Sequence, residues 1–131
     1  MTEKLLFTGK THIAGGSNGY ARSNDGTLDI KLPQPHPAAE NLFGAAWSAC
    51  YIGAIELAAQ QRKVALPASP EVDAEITLNS DNGSYFLRAR LNVSLADIDR
   101  EIAQELIEAA HGICPYSKAV HGNIDVETKL V

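Results

Sequence analysis

The stretch Phe43-Gly-Ala-Ala-Trp-Ser-Ala-Cys50-Tyr-Ile-Gly-Ala-Ile55-Glu-Leu-Ala-Ala59 decides the fold. From Ala39 to Lys63 the chain is rich in Ala, Leu and Ile, and it is nearly apolar around a helical circumference as far as Ala59. Only Gln60-Gln-Arg-Lys63 breaks that character. This is the pattern of a helix buried on most faces and solvated at one end. A sheet in so small a protein covers one face of such a helix. A second copy of the chain is the simplest cover for another, so a homodimer built around this helix is expected.

Around the helix the chain reads as strands. Leu5 to Ile13 is expected as a first strand, ending at Gly15-Gly16, and Tyr20 to Ser23 as a second. Asn24-Asp25-Gly26 is a hairpin signal, because Asp-Gly suits the positive φ angles of tight turns. Thr27 to Leu32 alternates apolar and polar as a third strand. Pro33, Pro35 and Pro37 then mark a connection into the helix. Beyond Pro67 and Pro70, Glu71–Asn79 and Ser84–Leu95 read as a second hairpin across Asn82-Gly83, with Arg88 and Arg90 facing solvent. Asp99 is the expected N-cap of a helix from Arg100 to about His111, with an inner stripe of Ile102, Leu106, Ala109, Ala110 and Ile113. Pro115 starts a short further helical turn, and Ile124 to Leu130 is a last strand. The order β-β-β-α-β-β-α-β is an α+β pattern with largely antiparallel strands.

The 131 residues fit one domain, 1–131. A net charge of −5 argues against nucleic acid, which needs a clustered basic surface. No apolar run reaches the roughly 18 to 20 uninterrupted residues of a membrane span. The N-terminal Met1-Thr-Glu-Lys-Leu-Leu-Phe7 is too short and mixed for a signal peptide, so a cytoplasmic location is expected, with no membrane partner.

Two cysteines are the whole thiol inventory. Cys50 lies inside the apolar helix, and Cys114 ends an amphipathic run just before Pro115. In a reducing compartment a permanent disulfide is disfavoured, which leaves two free thiols, a transient redox pair, or metal ligands. A buried Cys in an Ala-rich helix is most often a small core hydrophobe. His111, Cys114 and His121 offer an H-x-x-C spacing for zinc, but no fourth ligand is evident.

Several segments together carry a resemblance. They are Asp25-Gly-Thr-Leu-Asp-Ile-Lys-Leu32, Glu40-Asn-Leu-Phe-Gly-Ala-Ala-Trp-Ser-Ala-Cys50, Asn92-Val-Ser-Leu95, Glu108-Ala-Ala-His111, Cys114-Pro-Tyr-Ser117 and Gly122-Asn-Ile-Asp-Val126. On these the chain resembles the organic hydroperoxide resistance branch of the OsmC family. The resemblance implies antiparallel sheets packed around a long central helix in an intertwined homodimer with active sites at the interface. It implies a thiol peroxidase in which Cys50 attacks an organic hydroperoxide and Cys114 resolves the sulfenic acid to a disulfide. It also implies Glu40 beside them, reduction by an external dithiol carried on a lipoyl-bearing protein, and neither metal nor bound cofactor. The apolar flanks of Cys50 (Phe43, Trp47, Tyr51 and Ile52) would favour alkyl or fatty-acid hydroperoxides.

One departure bears on the chemistry. The resemblance calls for an arginine directly after Gly15-Gly16, held by the carboxylate matching Glu40, and this chain has Ser17 there. A nearby cation lowers a thiol pKa and supplies reactive thiolate. Arg22 on the second strand is the nearest replacement, with His36 a weaker one. The Pro33 to Ala39 connection is also shorter than is usual in the family, and Lys118, Val120 and His121 replace its usual residues. A divergent relative with weak peroxidase activity, acting as a redox sensor or small-molecule binding module, is the alternative reading.

Overall fold

A computed structural model describes residues 2–131, and the chain divides after Ala39 into two compact units. The first unit holds a three-stranded antiparallel sheet, with β1 (Thr11–Ala14) and β3 (Asp29–Lys31) on either side of β2 (Tyr20–Ser23). Asp25 organises the β2–β3 turn. Its carboxylate accepts from Ser23 Oγ at 2.6 Å and from the Thr27 hydroxyl at 2.8 Å. These donors hold the Asp25 carboxyl down at about 2. The first strand is shorter than its sequence suggests. Among the described residues, 5–10 have no strand partner beyond the Asn24 N–H bond to Lys10 O, and Leu5, Leu6 and Phe7 are open to solvent.

The second unit is built on α1 (Ala39–Gln61), the hairpin β4 (Glu71–Asp81) and β5 (Ser84–Ser94), α2 (Arg100–Ile113), α3 (Pro115–Val120) and β6 (Asp125–Leu130). Asn82 and Gly83 turn the hairpin with φ of 50° and 81°, as their side chains allow. β6 joins β5 in parallel, because two helices separate the strands and carry the chain back across the sheet. On β5, Ala89, Leu91 and Val93 point inward. Arg88 and Arg90 face outward and pair across the ladder with Asp125 and Glu127. Such exposed pairs contribute about 0–1 kcal/mol each and act mainly on register.

The core gathers Trp47, Tyr51 and Ile55 from α1, Leu91 and Val93 from β5, and Leu106 and Ile107 from α2. Full burial of a large side chain contributes about 1.5–3 kcal/mol, so these residues dominate stability. Gly44 lets α1 approach β4 closely, since a Cβ there would stand 3.3 Å from Ala74 Cβ and Ile76 Cγ1. By length and composition α1 is apolar enough to cross a membrane, yet eight of its residues are buried within the protein, as in a core helix.

α1 is buried along one face, as expected of the cover a single sheet gives, and Ala45, Ala49, Gly53 and Leu57 on its other side are exposed. The inner stripe of α2 differs from its expectation. The buried stripe of α2 is Ala103, Leu106, Ile107 and Ala110, with Ile102 38 % exposed. The apolar residues of α2 cover more than half a turn, so the pattern admits a small rotation, and the packing selects it. Asp99 caps α2 as expected, accepting from the Glu101 and Ile102 amides.

Candidate active site

Cys50 lies half-buried on α1, and Cys114 is fully buried where α2 gives way to α3. Cys114 belongs to both helix ends. Its N–H closes α2 on Ala110 O at 2.8 Å, and its sulfur caps α3 by accepting from the Ser117 amide at 3.5 Å. Pro115 occupies the first turn of α3, where its missing N–H costs nothing. This break in the helix aims the Cys114 side chain at α1.

The fold brings the two thiols together. Both are free, and Cys114 and the Tyr116 backbone N–H lie near enough to Cys50 to act on its ionisation. Burial pushes the Cys50 thiol above its ordinary range. Its hydrogen bond to Cys114 and the charge Cys114 can carry push the same way, against the Tyr116 amide.

Behind the sulfurs lies a set of polar side chains. Trp47 Nε1 donates to Ser117 Oγ at 3.0 Å, and His111 spans Ser117 Oγ (2.8 Å from Nδ1) and Thr128 Oγ1 (2.7 Å from Nε2). Tyr51 stacks on the His111 ring with centroids 4.5 Å apart, and its hydroxyl donates to Ile107 O at 2.6 Å. Burial raises the Tyr51 pKa and lowers that of His111, so both are neutral around neutrality. Trp47 and Tyr51 are thus core residues with satisfied polar ends. Among the aromatic and aliphatic flanks of Cys50, Phe43 and Ile52 keep some exposure. A cavity of ≈ 720 Å³ opens over Trp47, His111, Ser117 and Thr128, with Lys118 and His121 on its wall.

The remaining residues singled out in the sequence stand as follows. Glu40 lies in the first turn of α1, ten residues before Cys50, or about 15 Å of helical rise. Arg22 belongs to the first unit, where its guanidinium lies 4.0 Å over the Tyr20 ring and its Nε pairs with Asp29 at 3.2 Å. Its register partner on β3 is that same Asp29, so the pairing follows from the ladder. Among the described residues no group of three or more His, Cys, Asp and Glu could hold a metal ion, and both His111 nitrogens are already engaged. Ser117 and Thr128 were not evident from sequence as site residues. The signal for Ser117 was its place three residues after Cys114, at the N-cap spacing that lets its amide meet the sulfur.

Residues 32–129 match the family described as OsmC-like protein. The chain is 37 % identical to the organic hydroperoxide resistance protein OhrB of Bacillus subtilis, over 95 % of this chain and 98 % of that one. It is 35 % identical to the organic hydroperoxide resistance protein of Xanthomonas axonopodis pv. citri, over 98 % and 96 %. The crystal structure of the Bacillus subtilis OhrB superposes with a TM-score of 0.84, covering 97 % of this chain and all 100 % of that one at 38 % identity. That of an organic hydroperoxide resistance protein from Elizabethkingia anophelis superposes at 0.87, covering 98 % of each at 32 % identity.

Proposed function

This chain belongs to the OsmC-like family, in its organic hydroperoxide resistance branch, and from that footing we propose that it is a thiol-dependent peroxidase reducing organic hydroperoxides to alcohols. The observation that supports the reading most is that the fold sets two free thiols near each other, Cys50 half-buried and Cys114 fully buried, so that Cys114 acts on the ionisation of Cys50. The asymmetry supports the roles that the resemblance implies. A hydroperoxide meets Cys50 first, and Cys114 enters the chemistry through Cys50.

In the cycle, the Cys50 thiolate attacks the O–O bond. An S–O bond forms, the O–O bond breaks, and the departing alkoxide takes a proton to become the alcohol. Cys50 is left as a sulfenic acid. Cys114 then attacks the Cys50 sulfur, the S–S bond forms, and the hydroxyl leaves with a proton as water. An external dithiol, such as a dihydrolipoyl group on a protein, reopens the disulfide by two exchanges. Glu40 and Arg22 are the candidates for orienting and ionising groups. The working form is a homodimer in the cytoplasm, and the uncovered apolar face of α1 supports the dimer.

A second reading is kept by one observation. The Cys50 thiol is pushed up in this chain and Ser17 stands where the family's arginine is expected, a combination suited to a slow peroxidase that senses rather than clears peroxide. The test for the main reading is mass spectrometry of reduced protein after substoichiometric alkyl hydroperoxide. Linkage of Cys50 to Cys114 is expected. Two free thiols with the peroxide unconsumed would overturn it.

A further inference from the structure

The network behind Cys114 joins four elements, with Trp47 on α1, His111 on α2, Ser117 on α3 and Thr128 on β6. Ser117 sits at its centre. The hydroxyl of Ser117 has one proton and two lone pairs. Trp47 donates to one lone pair, which leaves Ser117 Oγ able either to donate to Nδ1 of a neutral His111 or to accept from it, while Nε2 pairs with the Thr128 hydroxyl in the complementary sense. The same residue's amide N–H points at the Cys114 sulfur.

We propose that His111 is a positioning residue for the resolving thiol. By fixing the Ser117 hydroxyl, it holds the Ser117 N–H on the Cys114 sulfur. This rests on the assignment of Cys114 as the thiol that closes onto Cys50. In that step Cys114 loses its proton, its sulfur forms the S–S bond, and the group carried by Cys50 leaves with the electron pair. Negative charge grows on the Cys114 sulfur as the proton departs, and the Ser117 N–H is the donor already aimed at it. His111 reaches the sulfur only through Ser117. Its other bond, to Thr128, fixes the ring plane.

The two ring nitrogens separate positioning from mere structure. Asn in place of His111 retains a polar atom near the Nδ1 position and so keeps the Ser117 bond. Gln retains one near Nε2 and so keeps only Thr128. Closure is read without peroxide by loading Cys50 with 5,5′-dithiobis(2-nitrobenzoate) and following release of the second thionitrobenzoate as Cys114 displaces it. His111→Asn is expected to close within about threefold of the parent, while His111→Gln and Ser117→Ala slow by about tenfold or more, the loss of one hydrogen bond to a developing charge. His111→Gln closing as fast as His111→Asn overturns the proposal, and so does Ser117→Ala closing at the parent rate. Ser117→Ala carries the test if the His111 variants do not fold. Because the probe is not a peroxide, a chain that fails to react with hydroperoxide but shows this ordering loses the peroxidase reading alone.

Discussion

Trp47 donates its indole N–H to Ser117 at 3.0 Å, and that bond ties the helix bearing Cys50 to the turn bearing Cys114. The relationship spans 70 residues of sequence and sits in the core. It makes the spacing of the two sulfurs a property of packing rather than of a mobile loop. It also places the chain's single tryptophan three residues from Cys50, where its emission reports on the site.

Peroxide addition is therefore expected to change Trp47 emission in two phases, the first from Cys50 sulfenic acid and the second from the disulfide. Cys114→Ser should abolish the second phase and leave a Cys50 sulfenic acid that dimedone traps. Cys50→Ser should abolish both. Stopped-flow fluorescence with mass spectrometry checks this, and a second phase surviving in Cys114→Ser would refute the assigned order.

The raised Cys50 pKa has a sign that can be checked directly. Alkylation requires thiolate, so the iodoacetamide rate on reduced protein should still be climbing with pH above the ordinary thiol range near 9.0. Ser17→Arg, which returns a cation at the family's position, is expected to move the profile to lower pH, and each unit is worth about tenfold in thiolate at neutral pH. An unmoved profile would mean that Ser17 is not where the missing charge belongs.

Arg22 is the candidate for supplying that charge in the protein as it stands. Arg22→Ala is expected to slow Cys50 oxidation by about tenfold or more. Its stability should change by no more than about 1 kcal/mol, because the Asp29 pair it breaks is exposed. Wild-type peroxide kinetics in this variant would remove Arg22 from the site and favour the sensor reading.

His111 gives the protein an acid-side weakness. Its folded pKa lies below the ordinary 6.5, so the folded state resists a proton that the unfolded chain accepts. The associated stability is complete above that ordinary value and is lost as pH falls through it toward the folded pKa. Carboxylates titrate lower still, so comparison with His111→Asn isolates the effect. The parent's Tm should fall more steeply than the variant's between about pH 7 and about pH 5. Parallel curves would contradict a buried neutral imidazole.

The strand and helix order was legible because each element carries its own local signal: Asp99 before a helix, Asn82-Gly83 between strands, Pro115 at a helix start. The approach of Cys50 and Cys114 was legible only through the family resemblance, since nothing local says that residues 64 apart meet. Three features were beyond reach for physical reasons. The parallel pairing of β6 depends on a crossover that strand patterns do not encode. The rotation of α2 was degenerate, with Ile102 and Ala103 both acceptable inside. The role of Ser117 rests on its backbone amide, a group every residue but proline has, so only geometry reveals it.

Gly53 isolates the remaining expectation, the dimer. It lies exposed on α1 with Ala45, Ala49 and Leu57, and among the described residues nothing beyond its chain neighbours and its own helix backbone stands within 4 Å of where its Cβ would be. In an isolated chain Gly53→Arg is harmless. It gains about 0.5–1 kcal/mol of helix propensity and places its charge in water. Against a second copy, the same arginine would be buried without a partner, at a cost of several kcal/mol. The expected outcome is a dimeric parent and a folded, monomeric Gly53→Arg protein with unchanged far-UV circular dichroism, read by sedimentation velocity. A variant that remains dimeric would show that this face of α1 is not the one a second copy covers.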